Sequence, residues 1–516
     1  MKNKLYILLP LLAFFSFSCN EFLDVQPDNR TVLDTDEKIT SLLTSAYADH
    51  LFLMTTEMMS DNYDDFGSAY LFTRLQEELF YWRDVTETGS NESVKNVWEG
   101  YYKAIAHANQ SLQTIEEWGN PERLNPHRGE ALMSRAYHHF ILVNVFCKHY
   151  STQTGHSDMG IPYAEEPETV VDPGYDRGTV AGVYAKIERD IEEALPLIED
   201  NLHAVPKYHF NRKAAYAFAT RFYLYCRKYD KVIEYAKEVL GDNPTGMLRN
   251  TQALYALTTD FSIIANEYIK PEHNANLLLV TGLSDMGLIT GAWLNGKRFM
   301  HSAPILSEKE EVAPGPWGNT VPYMRRLSYI NGSLIFATIG KLPYLFEYTD
   351  PVAGMGYRRT VLAAFTAEEV LLNRAEAYIL MGDYDNAVAD IQTWVRRHLK
   401  DATTPGRNAI NTFYGGVNYY TSTAPTVKKA LNPEVPVVSA EQENFLHCLL
   451  HIRRIEQLFD GTRWFDIKRY GIEITRRTVD ANLVVREVDK LTVDDPRRAA
   501  QLPADVIIAG LPANPR

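Results

Sequence analysis

Aromatic side chains in glycine- and proline-rich stretches are the residues of this sequence best suited to hold a ligand. Trp317 lies in APGPWGNTVPY and Trp293 lies in TGAWLNGKRF, so neither belongs to a helical repeat that would bury it. An indole or phenol ring on a loop offers a rigid apolar face to the C–H groups of a sugar and a polar edge to its hydroxyls. Trp317, Trp293 and Tyr323 are therefore predicted to contact a carbohydrate.

Polar side chains cluster around a fourth aromatic residue, Tyr63, in the stretch SDNYDDFGSAY. Carboxylates and amides exchange hydrogen bonds with sugar hydroxyls, and a guanidinium adds a charged donor. The polar residues predicted to bind the ligand are Asn62, Asp64, Asp65 and Arg298. For each of these residues the alternative is a loop side chain folded back onto the body of the protein.

The sequence lacks the common motifs of catalysis and metal binding. An EF-hand counted from Asp61 would need glycine at its sixth position, where Phe66 stands. GLSDMG is one residue too long for a nucleophile elbow, and H-E-x-x-H and phosphate-binding glycine loops are absent. A glycosidase needs two carboxylates about 5–10 Å apart, a distance that sequence does not fix. We expect no enzymatic activity, no metal and no cofactor, with a surface glycosidase and a looser calcium site left as alternatives.

Helical hairpins are the elements that must position these loops. Residues 366–399 have the length of a tetratricopeptide unit, with apolar residues at helical spacing on both sides of GDYDN. The stretch from Arg221 aligns with the one from Glu376, so that Tyr223 matches Tyr378. Helical spacing also predicts hairpins over residues 94–150, 179–242 and 440–472, and it assigns the aromatics inside them to packing.

The fold class predicted from this pattern is mainly α, a tetratricopeptide-type array of helical hairpins. Residues 243–365 interrupt it with Gly and Pro and short apolar runs, which predict an irregular insert of loops and short strands. A second Gly-, Asn- and Tyr-rich loop is expected over residues 403–436, and one helix from Asp34 or Thr35 through Met59. We expect residues 36–516 to form a single domain.

The N-terminus predicts export and lipid anchoring. Lys2 and Lys4 precede an apolar run, Leu5 to Phe17, that is shorter than the ~20 residues needed to span a bilayer. The run ends in SFSCN, which is similar to a bacterial lipobox with Cys19 as the lipidated residue. Residues 1–18 are thus predicted to be a signal peptide and residues 19–35 a tether. The net charge of −14, without a basic patch, argues against nucleic acid as a partner.

Five landmarks, in order, resemble the SusD/RagB family of surface lipoproteins. They are CNEFLDVQP, VWEGYYKAIAHAN, SRAYHHFILVNVF leading into GIPYAEEP, LLNRAEAYILMGDYDNAV, and RRIEQLFDGTRWFDIKRYG. The resemblance implies a lipid-anchored protein without catalytic activity on the outer surface of the outer membrane. It implies that the protein captures a glycan and passes it to a SusC-like TonB-dependent transporter, with the ligand site on loops and the insert. A peptide-binding member of the same family and a tetratricopeptide protein scaffold remain alternatives.

Overall fold

The computed structural model describes residues 33–168, 174–290, 297–302, 305, 312–324, 326–331, 334–422 and 424–516. The predicted signal peptide, Cys19 and Trp293 lie outside the described residues. Within these ranges, none of the helices combines the length and the apolar character that crossing a membrane requires.

The described chain is mainly helical, with seventeen α-helices and only short strands beside them, which confirms the predicted mainly α fold. The first six are α1 (Asp36–Leu43), α2 (Leu53–Met59), α3 (Arg74–Phe80), α4 (Val94–Glu117), α5 (Asn125–Phe146) and α6 (Val180–Ala194). The next five are α7 (Arg212–Tyr225), α8 (Tyr229–Leu240), α9 (Thr251–Leu257), α10 (Phe261–Tyr268) and α11 (Met286–Ile289). The last six are α12 (Ala367–Met381), α13 (Tyr384–His398), α14 (Arg407–Gly416), α15 (Ala440–Glu456), α16 (Arg463–Arg469) and α17 (Ala504–Ile508).

The long helices pack pairwise into an array around one main hydrophobic core. α4 packs on α5 and α5 on α6; farther along the chain α7 packs on α8, α8 on α12, α12 on α13, and α14 on α15. The outer helices, such as α8 and α13, bury one apolar stripe against their neighbours, whereas α5 is buried on nearly all sides at the centre of the array. The two stretches aligned by sequence do form hairpins of one design, α7 with α8 and α12 with α13.

In the part of the chain that the structure describes, nine strands form three small sheets. The strands are β1 (Asp64–Asp65), β2 (Asn276–Leu283), β3 (Phe299–Met300), β4 (Arg326–Asn331), β5 (Leu334–Ile339), β6 (Leu345–Asp350), β7 (Met355–Thr366), β8 (Ile474–Val479) and β9 (Val485–Leu491). Their orders are β3-β1-β8-β9, β2-β7-β6 and β4-β5, and all neighbours are antiparallel except β1 and β8. The four-stranded sheet therefore joins the start of the chain, the insert and the C-terminal part.

The insert is continuous with the helical array. Its last strand, β7, runs directly into α12, where the Thr366 hydroxyl accepts a hydrogen bond from the Glu369 N–H at 3.3 Å. Such a side-chain cap satisfies one of the free N–H groups at the start of a helix. The cap thus fixes the direction in which α12 leaves the end of β7.

Two predicted elements differ from the structure. The helix expected to run from Thr35 through Met59 is divided, since α1 ends at Leu43 and α2 begins at Leu53. The loop expected over residues 403–436 contains α14, in which Ile410 and Tyr414 are buried one turn apart. This apolar pair anchors α14 against α15 and outweighs the low helix propensity of the surrounding glycine and asparagine.

Candidate functional site

The polar residues predicted around Tyr63 lie inside the protein instead of on an exposed loop. Asp64 receives two hydrogen bonds from Arg477, at 3.0 and 2.9 Å, and both residues are buried. Asp65 is held by Arg298 at 2.8 Å to each carboxylate oxygen, and it accepts the Tyr81 hydroxyl at 2.6 Å. The prediction of a ligand contact assumed that these side chains are exposed, and that assumption is wrong because they are buried. They join the strands of the four-stranded sheet.

The neighbouring residues are buried in the same way. Asn62 accepts a hydrogen bond from Arg454 at 2.7 Å and donates one to Glu57 at 3.2 Å. Tyr63 is 3% exposed, and its ring packs edge-on against His301 with centroids 4.7 Å apart. Buried polar groups are almost always hydrogen-bonded. Here the partner of Asn62 from a distant part of the chain is Arg454.

Trp317 is also a core residue, with 2% of its surface exposed. Its ring lies between Trp394, at 6.4 Å between centroids, and His451, at 5.0 Å. Gly315 makes this possible, because a Cβ atom there would come within 2.2 Å of the indole. The glycine and proline around Trp317 thus allow a tight turn that folds the ring inward, and the predicted exposure is wrong.

Tyr323 is the described candidate aromatic that stays partly exposed. Its ring meets Tyr255 edge-on at 5.9 Å, and its backbone N–H donates to the His398 carbonyl at 2.9 Å. The described residues Trp317, Tyr323 and Tyr63 are therefore not gathered into one site.

A large groove lies elsewhere, along α4. It has a volume of about 730 Å³ and is mainly apolar. The rings of Trp98 and Tyr102, one turn apart on α4, stand 4.8 Å from each other in its floor. The opposite wall is the segment from Pro162 to Glu168 with Tyr175, and Val506, Ala509 and Leu511 close one end.

Hydrogen bonds fix the wall of the groove against α4. The Tyr102 hydroxyl donates to the Pro162 carbonyl at 2.7 Å, and the Asn109 amide donates to the Ala164 carbonyl at 3.0 Å. His139 stacks on Tyr163 at 3.8 Å from behind. These contacts hold an irregular segment rigidly, as a preformed binding site needs.

A second cavity of about 560 Å³ continues the groove toward the C-terminal end of α4. The two cavities share Asn109, Glu166 and Pro167. From Trp98 to Glu116 the lining positions on α4 recur at helical spacing on one face, which corresponds to a length of roughly 27 Å at 1.5 Å per residue. The combined groove thus suits an elongated ligand.

Charged side chains line the second cavity with both signs. Arg135 binds Asp190 through two hydrogen bonds of 2.6 and 2.9 Å and reaches Asn109 at 3.2 Å. Burial alone would raise the pKa of Glu165, but hydrogen bonds from Lys186 and Arg189 lower it, so this carboxylate is ionised at neutral pH. The rim therefore presents fixed donors and acceptors, suited to hydroxyl groups, without a dominant charge.

Helical spacing assigns Trp98 to packing and singles out neither Tyr102 nor Tyr175 as a ligand contact. The assignment is partly right, because Trp98 is 7% exposed and contacts Phe146 edge-on at 5.1 Å. The sequence did carry a usable signal, since GIPYAEEP combines turn residues with two carboxylates, yet nothing in it showed that α4 lies opposite.

The family to which this chain belongs follows from two matches along its length. A family model described as SusD-like, starch-binding and associating with the outer membrane, matches residues 21–224. A second model, the SusD family, matches residues 364–499. The chain belongs to the SusD family. Proteins of this family bind carbohydrate, and the two matched segments include α4, α5 and the hairpin of α12 with α13.

Solved structures of SusD-like proteins share the fold over almost the whole chain. One from Bacteroides thetaiotaomicron is 18% identical, with a TM-score of 0.61 over 93% of this chain and 98% of its own. One from Bacteroides vulgatus is 18% identical, with a TM-score of 0.63 over 94% and 99%. A laminarin-binding SusD-like protein is 17% identical, with a TM-score of 0.55 over 93% and 98%. Among curated protein sequences, none matches this chain.

Proposed function

We propose that this SusD-family protein is a cell-surface glycan-binding lipoprotein that captures oligosaccharide or polysaccharide in the groove along α4. The observation that supports this most directly is the rigid groove itself, with aromatic rings at one end and mixed polar groups at the other. Sugars offer apolar C–H faces and hydroxyl edges at every ring, so a long glycan matches both kinds of lining.

Capture in the groove needs no chemical step. The Tyr175 ring, 39% exposed, stands at the apolar end, where its hydroxyl donates to Glu168. Gln113 and Glu116 are exposed on α4 at the polar end. We expect the rings to set the orientation of the sugar faces and the polar side chains to bind hydroxyls. The protein is therefore proposed to be a binding protein and not an enzyme.

Delivery to a SusC-like TonB-dependent transporter is the second part of the proposal. Lipidation at Cys19 would keep the protein at the outer membrane, and the matched family model is described as associating with that membrane. Purification of the lipidated protein from detergent-solubilised outer membranes should then bring down a large barrel protein. Recovery of the lipoprotein alone under gentle detergents would count against delivery, but not against glycan binding.

Glycan binding is tested by affinity electrophoresis and calorimetry of the chain from Asn20 onward with starch and laminarin. Tyr175→Ala should weaken binding about tenfold, roughly 1.4 kcal/mol. Tyr348→Ala is the control, because Tyr348 is an even more accessible tyrosine, 59% exposed, on β6 and outside the groove. Equal effects of the two substitutions, or retention of full affinity by Tyr175→Ala, would refute the groove as the site.

Ligand length provides an independent check. Gln113 lies at the opposite end of the groove from Tyr175. Gln113→Ala should therefore weaken the binding of long oligosaccharides and leave the binding of short ones unchanged. The same incubations test the glycosidase alternative, since release of reducing ends would show catalysis. No retardation by any glycan, together with binding of peptides, would favour the peptide-binding alternative.

A further inference from the structure

Away from the groove, three side chains that commonly bind metal ions converge on one point. Glu130 belongs to α5, whereas His203 and His209 belong to the connection between α6 and α7. His203 Nε2 lies 2.6 Å from Glu130 Oε2, and His209 Nδ1 lies 2.9 Å from Glu130 Oε1. One ligand atom of each residue lies within 4.8 Å of the other two. Sequence alone predicts no metal here because the three residues have no motif spacing.

The two imidazoles are stacked face to face. Their centroids are 3.3 Å apart and their planes differ by 7°. In this stack one nitrogen of each ring lies against the same carboxylate, so the three ligand atoms are gathered in one place. Neutral imidazole is the form that binds metal, and metal binding releases the competing protons.

The carboxylate is buried and held in a fixed orientation. Glu130 is 1% exposed. The Tyr47 hydroxyl donates to Oε1 at 2.8 Å and accepts the Phe210 N–H at 2.7 Å. Such outer contacts are typical of sites in which the ligands are held ready for a metal.

A fourth nitrogen donor lies one helical turn away. His127 precedes Glu130 by three residues on α5, so both occupy one face of that helix. Its Nε2 lies 2.8 Å from the Thr40 hydroxyl, and its Nδ1 has no hydrogen-bond partner among the described residues. His127 is buried, so its unpartnered nitrogen is available as a further ligand atom beside the cluster.

We propose that Glu130, His203 and His209 bind a divalent transition-metal ion, with Zn²⁺ as the best fit. Two imidazole nitrogens and one carboxylate form a common three-ligand zinc set, completed by a fourth donor such as water or His127. Ca²⁺ and Mg²⁺ favour all-oxygen sets and fit poorly. The ion would fasten the connection around the short 3₁₀ turn Pro206–Tyr208 to α5, and so join two helical pairs of the array.

The test is metal titration of the purified protein after removal of metals with a chelator. We expect one equivalent of Zn²⁺ to bind and the melting temperature to rise with the concentration of free Zn²⁺. When Co²⁺ is added instead of Zn²⁺, we expect the visible absorption band of a four-coordinate Co²⁺ ion. His203→Ala and Glu130→Gln should each weaken Zn²⁺ binding at least tenfold. His156→Ala, an exposed histidine outside the cluster, should bind Zn²⁺ as the unchanged protein does.

Absence of bound metal, or binding that both cluster substitutions leave intact, overturns the proposal. If a variant fails to fold, chemical modification of the unchanged protein still tests whether the cluster binds Zn²⁺. Zn²⁺ should protect His203 and His209 from diethylpyrocarbonate while His156 continues to react, as read by peptide mass spectrometry. Equal modification with and without Zn²⁺ overturns the site.

Discussion

Asp61 shows how much depends on a single buried carboxylate in this protein. Its oxygens accept hydrogen bonds from Arg463 at 2.9 and 3.1 Å, from Lys429 at 2.7 Å and from Arg454 at 3.3 Å. All four side chains are buried. The carboxylate therefore neutralises cations that come from three separate segments of the C-terminal part.

Removing that charge should destabilise the fold strongly. Asp61→Asn leaves the cations buried without their counterion, which costs about 3–5 kcal/mol for a broken buried ion pair. Urea unfolding followed by circular dichroism measures the free energy of unfolding. Asp260→Asn, at the exposed start of α10, is the control and should cost much less. Equal costs would show that the ion cluster contributes little.

The same residue predicts a pH dependence. Burial alone would raise the pKa of Asp61, but Arg454, Arg463 and Lys429 hold it well below its usual value of 3.8. The stabilisation by the carboxylate is thus complete above the unfolded pKa and is lost as the pH falls through the folded pKa. The difference in stability between the unchanged protein and Asp61→Asn should be constant near neutral pH and shrink below about pH 4.

At the scale of the helical hairpin, one turn position sets the geometry of the repeat. Gly382 ends α12 with φ of +80°, and the Asp383 N–H donates to the Tyr378 carbonyl at 2.8 Å. In the aligned hairpin Arg227 takes the same place with φ of +61°, and the Lys228 N–H donates to the Tyr223 carbonyl at 2.9 Å. Both helices therefore end in the same motif, in which a left-handed residue closes the last turn.

The left-handed conformation at Gly382 predicts how much stability is lost when a residue with a Cβ atom replaces this glycine. Nothing lies within 4 Å of a Cβ atom placed on Gly382, so Gly382→Ala adds backbone strain alone, about 1–2 kcal/mol. Gly416→Ala is the matched control, since Gly416 also has open space but lacks a positive φ. The first substitution should lower the urea midpoint and the second should leave it unchanged or raise it slightly. Equal effects would show that strain at the turn is not the cause.

The hairpins were predictable from sequence, whereas the environment of the loops was not. Helical spacing is a local property, so α4, α5, α12 and α13 could be located within a few residues. The burial of Asp65 depends on Arg298 and on β8, both far away in the chain. Trp317 lies in a loop, but Gly315 lets its ring pack on Trp394. Exposure was inferred from the absence of a period, which carries no information on such long-range contacts.

At the scale of the molecule, the groove is assembled from parts of the chain that are distant in sequence. α4 supplies the floor, the segment after α5 supplies the wall, and the C-terminal residues close one end. The Asn514 amide fixes that end by donating to the Phe146 carbonyl at 2.8 Å, while Arg177 donates to Asn514 at 2.8 Å. Val506, Ala509 and Leu511 of this end line the groove, so we propose that the C-terminus contacts the ligand.

Two neighbouring residues of α17 test this role of the C-terminus. Val506 lines the groove, whereas Ile508 on the same short helix is 85% exposed and points elsewhere, outside the groove lining. Val506→Ala removes two carbon atoms from the lining and should weaken binding of a glycan that covers both by up to about fifteenfold, from ~0.8 kcal/mol per buried CH₂. Ile508→Ala should leave the affinity unchanged in the same calorimetric titration. If both variants bind as the unchanged protein does, the C-terminal segment only stabilises the fold, and the ligand contacts α4 and the wall from Pro162 to Glu168 alone.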